Sequence, residues 1–476
     1  MTLRRPSDSL APERWDTAHV ENVETLRDLI RIPSVNPPDP PGPELDAARH
    51  VAALLGDAGL QPEVVEPYPG RGSVACRLRG DGTGGDPLLL LSHLDVVPAP
   101  ADGWTHDPFA ADMADGYVWG RGAVDMKQMV ALEVTVLRLL AAEARAAGRD
   151  PASDPVPGLR RDVLFAATAD EETGGHEGIG WVVEHRPEWL RAAGALNECG
   201  GVSVDFGGHR FYPIGVAEKG YADYRVTVRG TWGHGSMPRE DNAAVRAAAI
   251  VERLAVEGPA RPTAVMTRFL ERVADTLGGA TGRRIREVAT AGPGGPGGTV
   301  ALEASCDPMY ARAIRALLRD TVSPNVIRAG HKYNVIPGVA EIEIDCRTLP
   351  GTDESAMRSE LRRRIGEELW AHCEIEPFLV GDSVEAPIES DLYRLLESTI
   401  IEHDPDAVPV PVMMPFATDA KHTVRLGVPT YGFAPLRLDP DERFLERFHG
   451  IDERVGLAAL RFGLPVLYDV VRRFCS

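Results

Sequence analysis

The chain reads as an α/β protein with a mostly parallel sheet flanked by helices, interrupted by an inserted α+β domain. Three observations predict this. Short continuous apolar runs, Leu88–Leu91 and Val163–Ala167, mark strands covered on both faces. Segments of helical period separate such runs, as the crossovers of a parallel sheet require. From about Ala217 the pattern switches to strict alternation, which belongs to an antiparallel sheet with one wet face. A length of 476 residues also exceeds one ordinary core. The expected organisation is one domain made of residues 1–216 and 383–476, with residues 217–382 inserted.

Glu44 to Gly56 places Leu45, Ala48, Val51, Ala52 and Leu55 on one helical face, with Gly56 and Gly59 to end it. Ser73 to Leu78 is a strand, with Val74, Cys76 and Leu78 sharing a side. Leu88–Leu91 is the next strand. His93 and Asp95 follow at its C-terminal end, the edge where open α/β sheets hold ligands. A long helix is expected from about Val124 to Ala147, with Asp125 at its start, where the helix N-terminus favours an anion. Asp162 to Thr168 is another buried strand, and Glu171 and Glu172 come after it. Within the insertion, Tyr221 to Arg229 alternates, with Ala222, Tyr224, Val226 and Val228 on the apolar face. Ala243 to Leu254 is helical, Val335 to Cys346 a strand region and Glu354 to Leu369 a helix, in a β-α-β-β-α-β-like order. Pro429 to Phe433 is a strand, and Val455 to Phe474 a closing amphipathic helix with His449 ahead of it. Asp150 to Gly158 fits a surface loop. The glycine- and proline-rich run 291–298 cannot hold regular structure.

The formal charge of −20 argues against a nucleic-acid partner, which needs a basic face. No apolar run reaches the length of a membrane helix, and residues 1–8 lack an apolar signal core, so a cytoplasmic protein without a membrane partner is expected. Six cysteines include no Cys-x-x-Cys pair, which excludes a thiolate zinc site and suits reduced core residues.

Five distant segments carry metal-grade side chains beside glycines or at strand ends: Ser92–Asp95, Gly120–Asp125, Asp170–Gly175, Asn197–Gly201 and His449–Glu453. Together they supply two imidazoles and enough carboxylates for two cations sharing a bridging carboxylate, with one acid left as a base. His93 and Asp95 are two apart on a strand, so His93 can bind a cation while the Asp95 carboxylate holds its other ring nitrogen. The two oxygens of Asp125 suit a bridge. Glu171 and Glu172 repel one another, so burying both calls for a cation. One of them can bind it while the other faces the activated water. Each segment alone is an ordinary loop or strand end; their joint occurrence is the signal.

These segments resemble the motifs of the di-zinc peptidase family that includes aminoacylases, carboxypeptidase G, carboxypeptidase S and succinyl-diaminopimelate desuccinylase, over nearly the whole chain. The resemblance implies two divalent ions, Zn2+ with Co2+ or Mn2+ as alternatives. His93 and Glu198 would hold one, Glu172 and His449 the other, with Asp125 between them and Glu171 as general base. Gly230–Pro238 resembles the family's lid motif, in which His234 would stabilise the oxyanion, often from the partner subunit of a homodimer. Asn334 and Arg347 resemble lid residues that touch substrate, Arg347 pairing a carboxylate in bidentate fashion. Lys421 stands where relatives usually carry Arg, and His422 is an extra imidazole near the cleft.

The implied activity is zinc-dependent hydrolysis of an amide bond by a hydroxide formed at the cations, on a small peptide or N-acyl amino acid. Dipeptidase, carboxypeptidase and N-acyl-amino-acid deacylase are the alternatives within that class. A non-catalytic metal-binding protein would have lost a ligand or the base, and all are present. A dinucleotide enzyme would need fuller glycine spacing than Gly120-Arg121-Gly122 offers.

Overall fold

The computed structural model describes residues 5–36, 43–100, 102–291, 308–439 and 442–476. The low-complexity run expected at 291–298 lies outside these residues from 292 onward, as does Cys306. The chain forms two compact units, one of Met1–Val216, Ala386–Pro411 and Thr418–Ser476, the other of Ala217–Glu385 and Val412–Ala417.

The sheet of the first unit has a parallel centre. Strands Val163–Thr168, Leu88–His93, Gly194–Asn197 and Thr430–Gly432 lie side by side in that order, each parallel to the next. Antiparallel strands Arg71–Leu78 and Glu63–Tyr68 extend one side, and His209–Glu218 the other. The sheet is therefore mixed, with its parallel strands at the middle. Leu88–His93 and Val163–Thr168 are buried at every position, as their unbroken apolar runs require. On one face Leu89, Leu91, Leu164 and Ala166 pack with Ile179, Val182, Trp189 and Leu190. Helices Lys127–Ala146 and Leu457–Cys475 also pack against the Leu88–His93 strand.

The second unit holds a four-stranded antiparallel sheet in the order Thr321–Ala329, Val339–Thr348, Gly220–Arg229, Cys373–Gly381. Ala222, Tyr224, Val226 and Val228 form its core with Ile250 and Leu254 of helix Ala243–Leu254 and Met357 and Leu361 of helix Glu354–Ile365. Asn242 and Asp353 cap these helices by accepting the Ala244 and Ala356 N–H groups.

Several elements differ from the sequence reading. The region Val335–Cys346 is two strands, Val335–Ile336 and Val339–Thr348, parted at Pro337-Gly338. The helix expected to reach Leu369 stops at Ile365, because Gly366 takes φ 82°. Ahead of the last helix, Arg454–Gly456 is a strand. Helices Ala264–Leu277 and Gly279–Ala291 stand in a stretch to which the sequence reading assigns no element.

No helix among the described residues is long and apolar enough to cross a membrane. No disulfide joins the five described cysteines to one another.

Candidate active site

Three of the four parallel strands deliver acids or an imidazole at their C-terminal ends. Leu88–His93 ends on His93, Val163–Thr168 leads into Asp170-Glu171-Glu172, and Gly194–Asn197 is followed by Glu198. Asp125 lies two residues before helix Lys127–Ala146 and outside its first turn, so the helix-start placement expected for it does not hold. The loop that brings Asp125 in depends on glycine. Gly122 takes φ 89°, and a Cβ there would meet Lys127 at 2.8 Å. His449 comes from the loop before Arg454–Gly456, in the left-handed region at φ 55°. Asp170 and Cys199, each next to a site acid, are also left-handed, at φ 74° and 65°. Such backbone is uncommon for non-glycine residues and gathers at functional sites.

These residues converge. Asp125 Oδ1 is 3.2 Å from His93 Nε2, and Asp125 Oδ2 is 3.3 Å from His449 Nε2. Glu198 Oε1 approaches His93 Nε2 at 3.7 Å, and Glu172 Oε2 approaches His449 Nε2 at 3.2 Å. One carboxylate thus faces two histidines, each with its own glutamate. The two trios, His93-Asp125-Glu198 and Asp125-Glu172-His449, each place their ligand atoms within 4.8 Å of one another, close enough to hold one cation apiece. Hard carboxylate oxygens with neutral imidazoles suit divalent zinc, cobalt or manganese.

The electrostatics point the same way. Burial pushes the Glu172 and Glu198 carboxyls up to about 8, with Asp125 adding repulsion to both. His449 is pushed up to about 10 by its contacts with Asp125 and Glu172. His93 is raised by Glu198, Asp125 and Asp95 against the opposing effect of its burial. Without cations, therefore, the cluster holds protons. Glu172 Oε1 is buried with no hydrogen-bond partner. A buried acceptor left so is costly, and a cation satisfies it.

Asp95 does more than the expected backing of His93. The nearer partner of His93 Nδ1 is the Asp95 backbone carbonyl at 3.0 Å, with carboxylate Oδ1 at 3.4 Å. The reason is local: the strand ends at His93, so the two side chains do not share a strand face. The Asp95 carboxylate also accepts the N–H groups of Glu171 (3.2 Å) and Glu172 (3.0 Å) and the Asn36 amide (2.8 Å). It fixes the acidic turn.

Glu171 is nearly buried, with Oε1 3.5 Å from Lys421 Nζ. Burial raises its carboxyl above the usual range, and Lys421 opposes that. Lys421 therefore faces the acid. His422 is buried with Nε2 2.9 Å from the Gly174 carbonyl, a contact that braces the same turn.

Three expected residues lie in the second unit. His234, on the short strand Gly233–His234, is exposed; its Nδ1 accepts the Ser236 N–H at 3.2 Å and lies 2.8 Å from the Ser236 hydroxyl. An Nδ1 that accepts puts the proton of the neutral ring on Nε2. Asn334 has a buried Oδ1 without a hydrogen-bond partner. Arg347 spends Nε and one Nη2 hydrogen on Asp345, at 2.9 and 3.0 Å, which leaves Nη1 and the second Nη2 hydrogen for another partner.

Sequence reasoning missed the supporting residues. Arg71 reaches Glu44, Asp170 and Glu177, and donates to Asn36, which donates to Asp95. Asp419 is buried, accepts from Thr168 at 2.8 Å and is pushed up to about 7 by burial and by Glu171. Glu453 binds Arg121 at 2.7 Å. Arg121, between two glycines, and Glu453, four residues after His449, stand in segments the sequence marks but without a role assigned to them, and Arg71 is a single polar residue with no local signature.

A family model described as peptidase family M20/M25/M40 matches residues 89–473. The chain is 29% identical over 408 residues to "Probable carboxypeptidase S-like 2" of Dictyostelium discoideum, covering 81% of this chain and 71% of that protein. It is 27% identical over 458 residues to aminoacylase-1 of Homo sapiens, covering 94% of this chain and 93% of that protein. Its fold matches that of an M20 family metallo-carboxypeptidase from Sulfolobus solfataricus with a TM-score of 0.67 at 15% identity, over 95% of this chain and 99% of the other.

Proposed function

On the premise that this chain belongs to peptidase family M20/M25/M40 and is an amide-bond hydrolase of that family, we propose that it releases an amino acid with a free carboxylate from a small peptide or an N-acyl amino acid. We propose further that two divalent cations, zinc foremost, are held on either side of Asp125. The observation that carries this reading is Asp125 itself, whose two oxygens face His93 and His449. In this reading His93 and Glu198 complete one cation site, and Glu172 and His449 the other.

When bound, such a pair lowers the pKa of a water and polarises the substrate carbonyl. Glu171 then has two tasks. It takes the proton of the attacking water, and later delivers it to the nitrogen of the leaving amine. Two features support that role: Glu171 is adjacent to a cation ligand without belonging to either trio, and its proton affinity is raised by burial. Lys421 holds the carboxylate in place. Asp95 aligns Glu171 and Glu172 through their backbone N–H groups.

His234 donates from Nε2 to the carbonyl oxygen as negative charge develops there, in keeping with the acceptor role of its Nδ1. Asn334 and Arg347 meet the substrate, Arg347 through Nη1 and the second Nη2 hydrogen that Asp345 leaves open. The unit carrying these residues serves as a lid and as the interface of a homodimer. The cytoplasm is the proposed location.

The substrate class rests on what the names of the two relatives share. A carboxypeptidase and an aminoacylase both cut an amide whose nitrogen belongs to an amino acid with a free carboxylate. The test is a panel of dipeptides and N-acyl amino acids, each as free acid and as C-terminal amide, with zinc-loaded and chelated enzyme. Hydrolysis confined to the free acids and abolished by chelation is expected. Equal rates on free and blocked acids would overturn the substrate class, and turnover by fully chelated enzyme would overturn the cation role.

A further inference from the structure

Glu453 stands four residues beyond His449 and is fully buried. Its surroundings connect it to the far side of the cation cluster. Arg454, Val455 and Gly456 pair antiparallel with Trp119, Val118 and Tyr117. The ladder continues one step further, where the Gly120 N–H donates to the Glu453 carbonyl at 2.9 Å. At that point the Glu453 side chain takes over from the backbone. Its Oε1 accepts the N–H of Val124 at 2.8 Å and that of Asp125 at 3.2 Å. Its Oε2 accepts from Arg121 Nη1 at 2.7 Å. Arg121 also donates to the Pro98 carbonyl and lies over the Trp104 ring.

We propose that Glu453 is a positioning residue for the cation pair: one side chain fixes the backbone of the shared ligand Asp125 to the loop that carries His449. The inference rests on the proposed two-cation reading and deepens it. Asp125 precedes its helix, so no helical hydrogen bond fixes its N–H. The two Glu453 contacts replace that constraint, in a buried setting where hydrogen bonds to a charged acceptor are strong. His449 and Asp452 both hold left-handed backbone, so the loop between them needs anchors at its end. Glu453 supplies the inner anchor. Asp452 supplies an outer one, accepting the N–H and hydroxyl of Thr105 at 2.6 and 2.7 Å. Its carboxylate is thus directed at Thr105 and away from the Asp125 segment, which makes it the natural control.

A competing account makes Glu453 only the counter-charge of buried Arg121. Paired variants separate the two. Arg121→Met/Glu453→Ala removes both charges, so no orphan ion is left to unfold the protein. Arg121→Met/Glu453→Gln removes the same charges but keeps a carbonyl to accept the Val124 and Asp125 N–H groups. Folding is followed by thermal unfolding of the metal-free proteins, cation affinity by chelator competition, and geometry by the visible spectrum of the cobalt-substituted forms.

The Ala pair should bind both cations about 10- to 100-fold more weakly, the usual cost of losing a group that orients a ligand. The Gln pair should recover affinity to within a few-fold of wild type, with the wild-type cobalt spectrum. Asp452→Ala should weaken only one of the two cations. If the Ala pair folds and binds both cations with wild-type affinity and spectrum, the positioning role is wrong. An equal loss of affinity in the Ala and Gln pairs would overturn it too. If either pair fails to fold, Glu453→Gln alone, still folded by the same criterion, must keep affinity within a few-fold of wild type, and a tenfold loss overturns the proposal. Should wild type itself bind fewer than two cations, the two-cation reading fails instead, and the two failures are told apart.

Discussion

Cation binding to the metal-free protein should expel protons, and the number can be worked from the site. Glu172 and Glu198 are pushed up to about 8 and His449 to about 10, while His93 is raised as well. At pH 7 Glu172, Glu198 and His449 lie on the protonated side of their midpoints, and the contacts of His93 with Glu198, Asp125 and Asp95 shift it in the same direction. A ligand must be deprotonated to bind. Loading two cations therefore displaces protons from the two glutamates and from His449. The groups titrate together, so the count belongs to the cluster rather than to single residues. We expect at least two protons released per pair of cations at pH 7. Each proton displaced strengthens binding by about 1.4 kcal/mol per pH unit, so two protons give roughly 100-fold per unit.

The sign also applies to stability. An acid or imidazole with a raised folded pKa adds protons to the native state, so the metal-free fold loses stability from these groups as pH rises through their folded values. Loading removes that loss, and the stabilisation by zinc should therefore grow from pH 5 to 8. Residues remote from the cluster, such as His19, whose shift comes from burial, Arg461 and Asp16, titrate alike in both forms and cancel in the difference. The assay is calorimetric titration of zinc into metal-free protein in buffers of different ionisation enthalpy. Release of fewer than one proton, or affinity that falls with pH, would refute the reasoning.

Glu171→Gln should lower kcat by about 100- to 10,000-fold, or roughly 3–5 kcal/mol of barrier, while elemental analysis still finds both cations. His234→Ala should lower the rate with cation content intact. Mixing it with His449→Ala should restore activity in hybrid dimers, and hybrids that form without regaining activity would show that His234 acts within its own chain. Ile342→Ala, in the fully buried core of the second unit, should cost about 2–5 kcal/mol in denaturant unfolding and leave cation stoichiometry unchanged.

Much of the fold was legible because burial leaves periodic marks. The run Leu88–Leu91 has no polar position and became a strand buried on both faces. The alternation of Tyr221–Arg229 named its own inward face, with Ala222, Tyr224, Val226 and Val228 in the core. The misreadings fall where one residue overrides a period. Gly366 ends a helix whose apolar pattern continues, and Pro337-Gly338 splits a strand region. Asp125 was assigned to a helix start because the apolar spacing begins there, yet the helix begins at Lys127.

In the site, the residues that meet near one point were visible because glycines and strand ends flank them. The braces were not. Asn36, Arg71, Asp419 and Glu453 act through partners far away in the chain, as Glu453 does on Asp125 across 328 positions. No spacing rule reports such a contact. The Asp345–Arg347 pairing was local and readable, but the expected substrate carboxylate took its place.

The central claim is that Asp125 is shared by two cations, and anomalous diffraction from zinc-loaded crystals tests it most directly. Two peaks about 3.5–4 Å apart are expected. One should be bounded by His93, Glu198 and Asp125, and the other by Asp125, Glu172 and His449. A single peak, or a pair that leaves Asp125 touching only one of them, would contradict it.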